Sequence, residues 1–312
     1  MDGVLIIDKP AGMTSHDVVA RVRRTVGERR VGHTGTLDPF ATGVLIVLVG
    51  RATRLAQFLS NSVKEYEAVI RLGFATDTGD VTGKPLTAVA EKINPWRKEE
   101  IEEALETLRG EIEQVSPMYS AKKLGGKKLY ELARRGEEVE RKAVRVTIHS
   151  LELIDEDRDI FPQNIDGTTD IQVRVACSAG TYVRTLAEDF GKRIGVGAHV
   201  AELQRTKAGS FALTDATTLE QLEENVRHNS LHEVLVTPDF ALEFLPSVTL
   251  NSLDVQRTHQ GLPLKLENKS QQTFGESDWV RMRDETGSLV AVGMYDPKAD
   301  LLRPRVVLSL EK

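Results

Sequence analysis

Three hydrophobic patterns run along the chain, and each predicts a different element. Gly3 to Ile7 and Val44 to Val49 are unbroken apolar runs, the pattern of buried strands, and the first ends in the turn Lys9-Pro-Ala-Gly12. Lys64 to Leu72 instead alternates, with Tyr66, Ala68, Ile70 and Leu72 on one face and Glu65, Glu67 and Arg71 on the other. That period of two predicts a half-buried strand. Helical spacing follows Ser15, which is placed to cap a helix carrying Val18, Val19, Val22 and Val26 and stopped by Gly27. Asn94-Pro95 reads as the N-cap and first residue of a helix with the stripe Ile101, Ala104, Leu105 and Leu108. A third helix, from Gly180 to about Ile194, buries Val183, Leu186, Ala187 and Phe190. A short one after Gly50 contains Leu55, Phe58 and Leu59.

Further strands are expected at Val144 to Leu153 and at Ile171 to Cys177, and a helix over the acidic stretch Leu219 to Leu235. Strands and helices follow one another without a regular strand, helix, strand repeat. The expected fold class is therefore α+β, with a mixed, mainly antiparallel sheet. Beyond Pro238 and Pro246, Trp279 to Arg283 and Leu289 to Gly293 flank Asp284-Glu-Thr-Gly287 as a hairpin. The expected division is a larger unit over residues 1–240 and a small β-rich domain over 245–312.

A length of 312 residues supports this, because one core usually stops growing near that size. With 40% hydrophobic and 28% charged residues the composition is that of a soluble globular chain. The run from Val44 to Val49 is far short of the roughly 20 residues a bilayer needs, and Met1-Asp2-Gly3 shows no signal-peptide pattern. Cys177 is the single cysteine, which excludes an intramolecular disulfide and an all-cysteine zinc site; a reducing, cytoplasmic location is expected. The net charge of −6 argues against a nucleic-acid partner until it is resolved along the chain. Seven acids against Arg227 over 211–244 hold the whole imbalance, while 1–60 and 121–145 are both net basic. Taken alone, such tracts read as solvated faces.

Several near-motifs fail on mechanics. Gly79-Asp-Val-Thr-Gly83-Lys84-Pro85 has one residue too few for a phosphate loop and a proline where Mg²⁺ needs a hydroxyl. Asp77-Thr78-Gly79 has no second triplet with which to form an aspartic-protease pair. His228 and His232 flank Asn229 where a zinc protease needs glutamate. No metal site is expected. What survives is Val31-Gly-His-Thr-Gly-Thr-Leu-Asp-Pro39 with Ala41-Thr-Gly43, a glycine-rich loop carrying His33 and Asp38 between a helix and a strand. A plain surface turn uses the same residue types.

Together with Asp8-Lys-Pro-Ala-Gly-Met-Thr-Ser-His16, Lys64-Glu-Tyr66, Ser116-Pro-Met-Tyr-Ser-Ala-Lys122, Cys177-Ser-Ala-Gly-Thr-Tyr-Val-Arg184 and Leu203-Gln-Arg-Thr-Lys-Ala-Gly-Ser-Phe211, that loop resembles the TruB family of bacterial tRNA pseudouridine synthases. The likeness runs in order over nearly the whole chain, and the last strands resemble the small PUA domain of these enzymes. Ser116 departs from the proline common before Pro117, an exchange expected to loosen that loop.

The resemblance implies isomerisation of uridine to pseudouridine at position 55 in the T-loop of tRNA. No cofactor, membrane or protein partner is implied, and the chain is expected to act as a monomer. Asp38 matches the catalytic aspartate. Arg184 is expected to pair with it and lower its pKa, and Tyr66 to stack on the base and take part in proton removal at C5. Tyr182 and Leu203 match the uridine pocket, and His33 the residue that enters the space left by the flipped base. Residues 115–145, with Lys122, Lys123, Lys127 and Lys128, are then an RNA clamp for phosphates. Cys177 is expected to pack in the core. Two rivals stay open at this stage: an RNA chaperone of the same fold, which has no need of Asp38, and a synthase acting on another RNA.

Overall fold

The computed structural model describes residues 1–89, 95–120, 122–133, 135–137, 139–154, 157–265, 274 and 278–308, without the side chains of 123, 124, 127, 128 and 130. A ten-stranded sheet organises the first 240 residues. It contains β1 (Gly3–Lys9), β2 (Val31–Thr34), β3 (Thr42–Val49) and β4 (Lys64–Leu72). Its order is Leu235–Val236, β1, β3, Ala198–Ala208, β4, Thr169–Cys177, Ala143–Leu153 and Gly110–Val115. Phe211–Ala212 pairs with the end of Ala198–Ala208. Every pairing is antiparallel except that of β3 with Ala198–Ala208. The fold is thus α+β, with a mixed and mainly antiparallel sheet.

The two strand patterns have distinct causes. In β1 and β3, Leu5, Ile7, Leu45 and Val47 pack under the helix α1 (Ser15–Val26) and under Leu219 and Leu222. Val4, Ile6, Val44, Ile46 and Leu48 pack on the opposite face against Leu55, Phe211 and residues of the C-terminal sheet. Both faces are dry, so neither strand alternates. β4 alternates because only the Tyr66 face enters the core, against Ile101, Leu105, Leu186 and Phe190 of the helices Lys98–Glu106 and Val183–Ile194.

The C-terminal β-rich domain is a five-stranded sheet, ordered Ser247–Thr249, Trp279–Arg283, Leu289–Asp296, Leu301–Val307 and Leu264–Lys265. Val280, Met282, Ala291 and Leu302 form its own core. Leu289, Val292 and Leu308 join the core beneath β1 and β3, and Trp279 meets Phe58 edge to face at 5.0 Å.

Four local expectations are corrected. Thr14, not Ser15, caps α1: its hydroxyl accepts from the Asp17 amide at 3.1 Å, and Asp17 accepts from the Thr14 amide at 2.9 Å. The helix bearing Ile101 starts at Lys98 behind Arg97, whose amide is held by Glu100, because Trp96–Arg97 is spent on a short pairing with Ile160–Phe161. Asn94 lies outside the described residues, and Pro95 is exposed ahead of that pairing. The acidic stretch is helical only over Leu219–Arg227, since Asn229 takes φ 57° and Leu235–Val236 pairs with β1. Ser116 fastens its loop, being buried and accepting from Lys122 Nζ at 3.1 Å, while its carbonyl accepts from Arg141 at 2.9 Å.

β3 divides its second edge between two partners. Ile46 to Val49 pair with β2, while Thr42 and Gly43 pair with Gln204 and Arg205. The loop 35–41 leaves the sheet at this fork. Gly43 permits the close approach, with φ 96° and an added Cβ only 2.2 Å from the Arg205 carbonyl oxygen. Replacing Gly43 by Ala is expected to destabilise the fold by at least about 2 kcal/mol, from backbone strain and displaced pairing. Urea denaturation measures this, and an unchanged midpoint would contradict the close approach.

Candidate active site

The loop 35–41 presents Asp38 through a tight turn in which the Ala41 amide donates to the Asp38 carbonyl at 3.1 Å, with Pro39 at the second position. Two anchors hold this turn. The Ser15 hydroxyl, released from capping by Thr14, accepts from the Leu37 amide at 2.9 Å and donates to the Leu37 carbonyl at 3.1 Å. The fully buried Lys9 ammonium donates to the carbonyls of Pro10, Met13 and Pro39 at 2.8, 2.8 and 3.2 Å. Burial lowers the Lys9 pKa to about 8, and the nearby Asp38 charge partly opposes the fall.

Arg184 reaches Asp38 from the second residue of the helix Val183–Ile194. Its Nε lies 2.8 Å from one carboxylate oxygen and a terminal nitrogen 3.3 Å from the other, the two-point contact that fixes a carboxylate's direction. The guanidinium is itself held: it donates to the carbonyls of Thr78 and Tyr119, both at 2.7 Å, and stands 3.5 Å from Asp80. Asp80 is fixed by Thr78 Oγ1 at 2.8 Å and by the amide and hydroxyl of Thr82 at 3.0 and 2.6 Å. Arg184 is 3% exposed at its side chain and Asp38 31%, so the cation is sealed while the carboxylate keeps an open side.

Arg184 pairs with Asp38 and lowers its pKa as expected, but the net shift is upward. Burial pushes the carboxyl above the usual aspartate range; Arg184 and Lys9 pull it down, Asp80 adds to the rise, and burial outweighs the pairing.

Asp38 lines a cavity of about 240 Å³ together with Tyr66, Tyr182, Arg184 and Leu203. Five of the candidate residues therefore meet in one place. Tyr66 is buried on β4, and burial raises its phenol pKa while Arg205, opposite it in register, opposes the rise. Tyr182 is held at its backbone by the buried amide of Gln114, which accepts from the Tyr182 amide at 3.0 Å and donates to its carbonyl at 3.3 Å. His33 lines neither this cavity nor a second one of about 510 Å³ that Asp38 also lines. It lies on β2 beside His16, ring centroids 5.3 Å apart, and His16 lines that second cavity.

Lys122 is exposed apart from its bond to Ser116. Lys123 and Leu124 pair with Lys127 and Lys128 as a small hairpin, but the side chains of Lys123, Lys127 and Lys128 lie outside those described. Cys177 is buried, and desolvation pushes its thiol up to about 11, as expected of a packing residue. No group of three metal-ligating side chains occurs among the described residues.

Sequence reasoning missed Lys9, Asp80, Gln114, Lys64 and Arg205. For the last two a signal existed: Lys64 shares the buried face of an alternating strand with Tyr66, and Arg205 follows Leu203 at a spacing of two. Asp80 had none, since nothing in the chain's order joins it to Arg184.

Residues 23–183 match the family described as "TruB family pseudouridylate synthase (N terminal domain)", and residues 184–243 match the "tRNA pseudouridylate synthase B C-terminal domain". The chain is 42% identical to tRNA pseudouridine synthase B of Bacillus anthracis, covering 99% of this chain and 97% of that one. To the protein of the same name from Geobacillus kaustophilus it is 46% identical, over 89% and 95%. Among solved structures it resembles a chain of a Cbf5-Nop10-Gar1 complex, with TM-score 0.69 and 27% identity over 99% of this chain and 84% of that one. A chain of an H/ACA RNP bound to a substrate RNA containing 2'-deoxyuridine shares the fold, with TM-score 0.71 and 24% identity over 99% and 85%. A match of this extent, meeting in one cavity the residues that the motifs nominate, shows that the chain belongs to the TruB family of pseudouridylate synthases.

Proposed function

We propose that this protein isomerises uridine to pseudouridine in tRNA, at position 55 of the T-loop, with Asp38 as the nucleophile. The observation that carries the reading is the two-point Arg184–Asp38 contact, which fixes a partly exposed carboxylate in the wall of a cavity that Tyr66, Tyr182 and Leu203 also line. The reaction exchanges an N1–C1′ for a C5–C1′ bond, moves one proton from C5 to N1, and needs no redox step. The carboxylate supplies the electron pair that carries the fragments through the intermediate. A base must leave the RNA stack to reach this cavity. In this reading His33, packed against His16 of the second cavity, enters the space the base vacates, Tyr66 stacks on the base and takes part in removing the C5 proton, and Tyr182 and Leu203 bound the ring. Lys122, Lys123, Lys127 and Lys128 contact phosphates. Residues 1–240 form the catalytic domain, and 245–312 a PUA-like domain that extends the RNA contact.

Asp38→Asn keeps size and hydrogen bonding but removes the nucleophile. Mapping of pseudouridine in unmodified tRNA is expected to show no product with this variant, while tRNA binding is retained. Product from a variant free of deamidation would overturn the assignment.

The raised pKa sets the pH dependence. Asp38 works ionised, so single-turnover rate falls as acid protonates it, and the midpoint of that limb is expected above the ordinary aspartate value of about 3.9. A limb at or below that value would show that Arg184 outweighs burial.

A further inference from the structure

Two cations in the cavity wall have no place in the mechanism above. Lys64 and Arg205 line the same cavity as Asp38 and Tyr66. Arg205 lies opposite Tyr66 in the sheet, its guanidinium carbon 6.0 Å from the Tyr66 ring centroid, and Lys64 sits two residues before Tyr66 on the same face. They are 6% and 1% exposed. Lys64 Nζ donates to the carbonyls of Ser60 and Ser62. Arg205 fills the fork in β3, donating from Nε to the Val44 carbonyl at 2.6 Å and from a terminal nitrogen to the Gly35 carbonyl at 3.0 Å. All four acceptors are neutral, and among the described residues no ion pair joins either cation to a carboxylate. Asp38, the carboxylate of this cavity, is already engaged by Arg184.

Burial and mutual repulsion act on the pair, and Lys64 is brought down to about 8, desolvation first and Arg205 second. Two buried positive charges without a counter-charge cost stability. Such a cost is a mark of a site arranged for a charge that arrives with the ligand.

We propose that Lys64 and Arg205 form a buried cationic wall that stabilises the negative charge the uracil ring carries while its bond to the ribose is broken and remade. The inference rests on the uridine isomerisation proposed above. When N1–C1′ breaks, the bonding pair stays on the ring and spreads over the two carbonyl oxygens. When C5 attacks C1′ that pair forms the new bond, the C5 proton leaves, and N1 takes up a proton. Attack of Asp38 at C6 instead places an equivalent charge on the C4 carbonyl oxygen, so the requirement does not depend on the route. Fixed cations in a water-poor cavity act strongly on such charge and need no reorganisation.

The test compares Lys64→Met with Lys64→Arg, using full-length protein and tRNA carrying uridine or 5-fluorouridine at the target position. Lys64→Met removes an uncompensated buried cation and is expected to melt no lower than the wild type. Its single-turnover rate on uridine is expected to fall about 10²- to 10³-fold with little change in KM. Fluorine withdraws charge from the ring and relieves the same need, so the fall in glycosidic-bond breakage is expected to be smaller on 5-fluorouridine. Lys64→Arg, still charged, is expected to recover most of the rate. Equal losses on the two substrates, or an unchanged rate, would refute the electrostatic role. A Lys64→Met protein that melts well below the wild type would make Lys64 an anchor for the Ser60 and Ser62 carbonyls and also overturn it. A wild type that forms no pseudouridine would instead remove the function on which the inference stands.

Discussion

The site depends on one guanidinium shared between two carboxylates. Arg184 is sealed from solvent, meets Asp38 through two nitrogens and Asp80 through a third, and uses its remaining donor directions on the Thr78 and Tyr119 carbonyls. A buried cation so fully satisfied has one orientation, and the carboxylate it grips inherits that orientation. Burial keeps Asp38 a better base than a surface aspartate, and the guanidinium keeps it directed. Neither effect alone yields an aimed carboxylate with an open face.

The surrounding fold brings the partners to this grip. Ser15 and Lys9 hold the Asp38 turn from the β1 side, and Gln114 holds Tyr182 at the start of the helix that carries Arg184. The forked edge of β3 lets the loop 35–41 leave the sheet where Arg205 closes the gap. Asp80 enters from the 76–83 turn through its two threonines. Hydrogen-bonded anchors thus come from five separate stretches of chain, which is why the motifs of this site are scattered over two thirds of the sequence.

That scattering decides what sequence reading reaches. β4 was legible because one face is wet and alternation records it; β1 and β3 were legible because both faces are dry and the apolar runs are continuous. The Asp38 loop was recognisable only through its company of motifs, since its residue types equally suit a surface turn. The helix expected to reach Leu235 stops at Arg227 because tertiary pairing of Leu235–Val236 with β1 overrides local propensity. Asp80 lies in a segment whose glycine spacing does not fit a phosphate loop, one residue beyond the Asp77-Thr78-Gly79 triplet, and neither pattern singles it out. Its role arises from contact with a residue more than a hundred positions away. The weight of burial over pairing at Asp38 is likewise a property of the assembled cavity and has no trace in residue order.

The fork geometry of Arg184 is tested most directly by Arg184→Lys, with single-turnover pseudouridine formation and tRNA affinity measured side by side. Lysine keeps the charge but cannot grip two carboxylate oxygens while bonding two carbonyls. The expected result is a rate loss of about 10²-fold, the cost of a slightly misdirected reacting group, with tRNA affinity unchanged. Wild-type turnover in Arg184→Lys would contradict it, showing that charge alone, without direction, sustains Asp38.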